Sequence, residues 1–287
     1  MTTKIVHCRS TDMIKINGNT NQVAFALNEA IIADKDQNIY VQVLSASVPY
    51  SFYNINFSNK YLNVYTNHTN GLTPNYFTIV LEEGNYNAIQ IADVVHTALE
   101  AQDPLGHKYT VTYNKKTNKY TFTLTSPNAV TSFLFLSGAN QRFDLQYVLG
   151  FYKLQDYTFS TGNPLISDST ANVSPYDAIY CRSNIVLSNQ YDTKSKNITD
   201  CLIRIPVNNI PFSFIQYSPT LTERYLTSLN TISVINFTLT DADGDLIDLN
   251  NNDWYISLRF DIVKKEDYFD MGEDRNKLIR AYLRESL

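Results

Sequence analysis

The sequence predicts a mainly β protein, a sandwich of antiparallel strands interrupted by a small inserted α+β domain. Three observations carry this. First, Trp254–Val263 alternates strictly, with Trp254, Ile256, Leu258, Phe260 and Ile262 on one face and Tyr255, Ser257, Arg259 and Asp261 on the other. A period of two marks an antiparallel strand with one buried face. Second, strand-like segments bounded by turn residues occupy both ends of the chain. Third, the interior stretch that carries a convincing helical stripe, about residues 88–101, lies between them.

In chain order, residues 3–8, 22–28 and 39–48 read as strands. In the third, Val41 and Val43 alternate with Gln42, and then Leu44, Ala46 and Val48 alternate with Ser45 and Ser47. The apolar phase slips by one at Val43–Leu44, as a bulge or bend produces. Pro49 ends the strand, and the aromatic-rich exit Tyr50–Asn56 follows. Short strands at 61–66 and 76–81 precede the helix, where Ala88, Ile91, Ala92, Val95, Ala98 and Leu99 recur at helical spacing. Asn87 is placed to cap it with Gln90 as reciprocal partner, and Asp103-Pro104 to end it. A hairpin is expected next: Tyr109, Val111 and Tyr113 alternate with threonines, 114–119 turns, and Tyr120, Phe122 and Leu124 return. One helix and about four strands make the α+β unit, placed at 57–165. Strands resume at 178–188, 200–207, 231–240 and 254–263, so residues 1–56 and 166–263 form the discontinuous sandwich. The segment 264–287 is an amphipathic tail. Leu278, Ile279, Tyr282 and Leu283 share one face, with Arg275, Lys277, Arg280 and Arg284 around it. Such a tail suits docking on its own domain or on a partner.

Composition narrows the function. Charged residues are 18% of the chain, against about 25% in ordinary globular proteins. Asn, Thr, Ser and 21 tyrosines supply the polar surface instead. Tyr and Thr are strand formers, and Tyr is also enriched where partners cover a surface. A net charge of −5 argues against a chain that coats nucleic acid, so direct nucleic-acid binding is not expected. Cys8, Cys181 and Cys201 are odd in number and widely spaced, suggesting neither a disulfide framework nor a zinc knuckle. No secretory leader and no membrane-spanning run is read, and a reducing, cytosol-like site of synthesis is expected.

Catalytic motifs are not found. The nine glycines lie at least 12 residues apart, which excludes a phosphate-binding glycine loop. His7, His68, His96 and His107 include no i, i+4 pair for a metal helix. His7 and Cys8 are adjacent in a strand and face opposite ways. Asp241-Ala-Asp-Gly-Asp245 has the spacing that opens a calcium loop, but Gly244 and Asn252 stand at the wrong places for an EF-hand, and the strand flanks favour a turn. Asp261 reads as a solvated acid on a polar strand face. No catalytic, cofactor-binding or metal residue is therefore assigned, and no enzymatic activity is expected.

Several segments together carry a family likeness: Leu44–Asn56, Leu81–Asn87 before the helix, Leu149–Phe151, Ile203–Val207, and Leu239–Leu249 leading to Trp254–Phe260. In their order and spacing the chain resembles the penton, or vertex minor capsid, proteins of virophages and the related Polinton/Maverick-like viruses. That lineage builds its major capsid proteins as double jelly rolls. The resemblance implies a single jelly roll with a domain inserted between strands. It implies a homopentamer at the vertex of an icosahedral virion, contacting major capsid protein trimers. The insertion would project outward, where host-surface contact occurs. No catalytic residues transfer, and the protein would reside in the virion capsid after assembly in the host cytoplasm or a viral factory. The alternative is a receptor-binding spike or fibre-like attachment protein, which predicts a trimer and a repetitive shaft; no internal repeat is seen. A glycan-active jelly roll would need paired carboxylates facing one groove.

Overall fold

A computed structural model describes residues 1–69, 74–174, 176–186, 190–191, 198–219, 224–227 and 229–265. The chain divides into two compact units. One comprises Met1–Phe52 and the described residues from Tyr176 on; the other is Tyr53–Pro175. The first unit begins with β1 (Thr2–Arg9), β2 (Ile14–Lys15), β3 (Gln22–Ile32) and β4 (Gln37–Pro49). The second holds β5 (Tyr61–His68), β6 (Asn75–Val80), α1 (Ala88–Gln102), β7 (Tyr109–Asn114), β8 (Lys119–Leu124), β9 (Ala129–Phe133), β10 (Tyr157–Ser160) and β11 (Leu165–Ile166). The first unit then resumes with β12 (Ala178–Ser183), the two-residue ladder of β13 (Gln190–Tyr191) with β14 (Ile198–Thr199), β15 (Cys201–Pro206), β16 (Phe214–Tyr217), β17 (Tyr225–Leu226), β18 (Thr231–Thr240) and β19 (Tyr255–Lys264).

The first unit is sandwich-like. One antiparallel sheet has the order β1-β19-β4-β16, with β17 also on β4; the other has the order β15-β12-β18-β3-β2. Val41, Val43, Leu258 and Phe260 of one sheet and Val23, Ile179, Ile235 and Phe237 of the other join a single buried cluster. Trp254, Ile256, Leu258 and Phe260 are buried as the alternation requires. The Trp254 indole N–H donates to the Thr20 carbonyl at 2.7 Å, and its ring meets Phe237 edge-on at 5.6 Å. The phase slip in β4 is a bulge: Ser257 faces Ser45 and Leu258 faces Val43, so Leu44 is the extra residue.

Asp261 corrects the sequence reading. It lies on the outward face of β19 yet is only 1% exposed. Thr3 Oγ1 donates to its Oδ1 at 2.6 Å from the neighbouring strand, as does Arg259 Nε at 3.0 Å. Arg224 Nη1 stands 3.1 Å from Oδ2. Two further corrections concern strands. Of the segment expected at 178–188, the described residues pair as a strand to Ser183, after which Asn184 turns and Val186 bridges to Thr227; 187 and 188 lie outside the described residues. The short strands β9, β10, β16 and β17 were not expected.

The second unit packs α1 beside β7, against sheets ordered β10-β9-β5-β6 and β11-β8-β7. Ile91, Ala92, Val95 and Leu99 of the helix enter a core dominated by Phe122, Phe133, Phe135, Phe151 and Phe159. The capping box is formed as read: Asn87 accepts from the Ile89 and Gln90 N–H groups, and Gln90 accepts from the Asn87 N–H. Gly150 explains the Leu149–Phe151 segment. Its φ is +76°, and a Cβ there would lie 2.6 Å from the Ser169 carbonyl oxygen. The compact unit starts at Tyr53 rather than 57 and runs to Pro175 rather than 165. Hydrogen bonds that leave no compositional trace make the difference. The Asn54 amide donates to the Tyr86 carbonyl at 2.6 Å, and Ile55 exchanges both backbone hydrogen bonds with Gly84. At the far end, β11 pairs with β8 and the Ala171 N–H donates to Asn118 at 2.7 Å. Of the tail expected at 264–287, Lys264 closes β19 and the Lys265 N–H donates to the Asp36 carbonyl at 2.9 Å; the remainder lies outside the described residues.

Candidate assembly surface

The chemistry-bearing residues are committed to structure. In the acidic turn, Asp241 Oδ1 accepts from the Asp243 N–H at 2.8 Å and the Asp245 N–H at 2.9 Å, while Gly244 takes a φ of +87°. The leading carboxylate thus shapes the turn from β18 towards Leu246. Among the described residues, no three His, Cys, Asp or Glu side chains converge as a metal would need. Cys8, Cys181 and Cys201 are buried free thiols, and burial pushes Cys8 up to about 12, so it stays a neutral thiol. His7 Nδ1 meets Ser257 Oγ at 2.8 Å on the outer face, opposite the buried Cys8. His96 is half-buried on α1.

A buried polar cluster in the second unit escaped the sequence reading. Asp103, just past α1, accepts from the Leu105 N–H and from the Tyr109 hydroxyl. Its Oδ2 lies 3.2 Å from His107 Nδ1, and Thr66 Oγ1 lies 2.9 Å from the same nitrogen. The Asp-x-x-x-His spacing past the helix end was the available signal. The group has the residue types of a hydroxyl–imidazole–carboxylate relay but not its geometry. A relay places hydroxyl and carboxylate on opposite ring nitrogens. Here both address Nδ1, and Nε2 is buried without a hydrogen-bond partner among the described residues. Burial lowers the His107 pKa and keeps the ring neutral. The cluster ties the end of α1 to β5 and, through the Tyr109 hydroxyl and Thr131, to β9.

The surface that stands out is apolar. From Ile205 to Thr222 the chain carries no charged residue. Inside that run, the loop between β15 and β16 exposes Ile210 at 77% and Phe212 at 84%, and β16 opens with Phe214 at 49%. Phe212 has a φ of +65°, a left-handed conformation that a bulky residue rarely holds. Hydrogen bonds hold it there. The Phe212 N–H donates to the Tyr50 carbonyl at 2.9 Å, and the Tyr50 N–H donates to Ser213 at 2.8 Å. Ser213 Oγ caps the Ile210 carbonyl at 2.6 Å, and the Asn209 amide donates to Phe214 at 2.6 Å. The loop adjoins the outer face of the sheet, where Arg9 stacks over the Tyr255 ring at 5.5 Å. There Tyr255, Ser47 and Gln216 stand in one row, and Gln216 donates to Ser47 Oγ at 3.1 Å. In the sequence, Pro211 within an uncharged run signals a turn here, but nothing signals that Ile210 and Phe212 are exposed.

No family model matches the sequence, and no curated protein matches it. Among solved structures, the chain is similar to the selenomethionine-labelled mavirus penton protein, at 13% identity and a TM-score of 0.49, over 92% of this chain and 100% of that one.

Proposed function

We propose that this chain is a structural subunit of an icosahedral viral capsid, forming the pentameric vertex capsomer and contacting the surrounding major capsid protein trimers. The observation that carries this reading is the strand order. Lettering β1, β3, β4, β12, β15, β16, β18 and β19 as B to I gives sheets B-I-D-G and C-H-E-F. That is the jelly-roll arrangement, which capsid domains share with lectins and cupins. The second unit then enters between D and E as an inserted domain, and it is the part that would face a host surface.

Fold alone does not choose among these roles, so the site must. A cupin-like centre would set ligating side chains inside the sandwich, whereas this interior is lined by residues such as Val41, Ile179, Ile235 and Phe260. The uncharged run Ile205–Thr222, with Ile210 and Phe212 exposed, suits burial against other subunits. A ring of five needs a heterologous contact, one face of each subunit meeting a different face of the next.

The native mass of the full chain tests the reading. A closed ring has five times the 32.8 kDa chain mass, about 164 kDa. A stable trimer would contradict it and point to an attachment spike.

A further inference from the structure

The Asp103–His107 cluster of the second unit leaves one atom without a partner. His107 is 2% exposed. A carboxylate only accepts hydrogen bonds, so with Asp103 Oδ2 at 3.2 Å it is His107 Nδ1 that carries the proton. Thr66 fits the same assignment, since its hydroxyl accepts from Nδ1 at 2.9 Å and donates to Asp103 Oδ2 at 3.3 Å. Nε2 is then a bare lone pair, buried and without a hydrogen-bond partner among the described residues. It is the ring atom that takes up a proton in acid, and the described residues offer no acceptor for the N–H so formed. A second imidazole stands beside it: the His68 ring, at the exposed end of β5, meets the His107 ring edge-on at 4.9 Å. We propose that the His68–His107 pair is an acid-released latch, which pins the end of α1 to β5 and β9 while both rings are neutral and lets it go when they take up protons. The latch goes beyond the capsid reading and does not depend on it.

The groups around the pair decide the direction of the response. After α1, Asp103 favours a charged ring, but its carboxylate is already shared among the Leu105 N–H, the Tyr109 hydroxyl and Thr66. From β5, a protonated His68 opposes a second charge beside it. β7 brings the Tyr109 hydroxyl and β9 the Thr131 hydroxyl 3.0 Å from it, both neutral. In the last turn of α1, Glu100 is engaged by Lys108 Nζ at 3.3 Å and by the Tyr109 N–H at 3.2 Å. Burial outweighs Asp103, and His68 adds to burial, so His107 is held below the usual histidine value of about 6.5. An opened segment therefore binds the proton first as pH falls. The stability this ring contributes is complete above about pH 6.5 and is lost as pH falls through that value towards the folded one. Asp144, in the same unit, has its buried carboxyl pushed up to about 7 and acts with the opposite sign. Variants at the two histidines separate the contributions.

The test is hydrogen exchange read by mass spectrometry on the full chain, at about pH 7.5 and about pH 5.5, with rates corrected for the intrinsic effect of pH. His107→Asn keeps an N–H directed at Asp103 and cannot titrate. In peptides covering β5, the second half of α1 and β7, the ratio of wild-type to His107→Asn protection should be about five- to tenfold lower at the acid pH, as one proton taken up per opening requires. Asp144 is present in both chains and cancels in that ratio. His68→Phe, at an exposed position, keeps a ring against His107 and removes one of the two charges. It should match the wild type at the higher pH and stay better protected than the wild type at the lower one. Peptides covering β4 and β19 of the first unit should give the same ratios at both pH values. A wild-type to His107→Asn ratio that does not change with pH would overturn the latch. Should His107→Asn prove unprotected at both pH values, His68→Phe decides alone, and protection equal to the wild type in acid would overturn it. An equal acid loss in β4 and β19 would show general unfolding and would overturn it as well.

Discussion

Asp144 lies buried in the second unit with Oδ1 accepting from the Gln146 N–H at 3.0 Å. Its Oδ2 has no hydrogen-bond partner among the described residues. Burial pushes its carboxyl up to about 7, and the Gln146 hydrogen bond opposes this only in part. In the unfolded chain the same group titrates near 4. Between those values the folded protein holds a proton that the unfolded chain has released. Stability therefore falls as pH rises from about 4 to about 7. Asp144→Asn removes that dependence and keeps the bond to Gln146. The variant should be more stable than wild type by on the order of 1–3 kcal/mol at pH 8, with the gain vanishing near pH 4, as read by urea denaturation at both pH values. An equal gain at the two pH values would show that the charge at Asp144 is not what costs stability. This residue left no mark in the sequence, because neither its burial nor its lack of partners depends on neighbours in the chain. Asp261 teaches the same point: its side of the strand was legible, but its burial depends on Thr3, which is 258 residues away, and on Arg224.

Local patterns translated well at the scale of elements. The capping box of α1 was readable because Asn87 and Gln90 lie within one turn of each other. Asn87→Ala should cost about 1 kcal/mol, seen as a lower melting temperature, and Asn87→Asp should restore most of it. An unchanged melting temperature in Asn87→Ala would mean that the helix end is held by its packing alone. The bulge at Leu44 was readable because a phase slip is visible within one strand. By contrast, β16 and β17 have four and two residues, too few to display a period of two. They are strands because β4 offers them hydrogen-bonding partners. The overrun of β12 has the opposite cause. Ile185 and Val186 continue the apolar run and are buried, but after a turn rather than in the ladder.

The order of the sheets belongs to the whole molecule. β1 pairs with β19, and β3 with β18, across nearly the full length of the chain. Alternation fixes which face of a strand is buried but not which strand lies beside it, so a sandwich was legible and its order was not. The candidate surface was hidden for a related reason. Ile210 and Phe212 read as two more apolar residues until the fold left them outside. The central claim is that this sandwich closes head to tail into a ring of five. Electron-microscopy class averages of particles assembled from the purified chain test it directly. Five-fold rings are the predicted result; two-fold pairs or three-fold particles would contradict it.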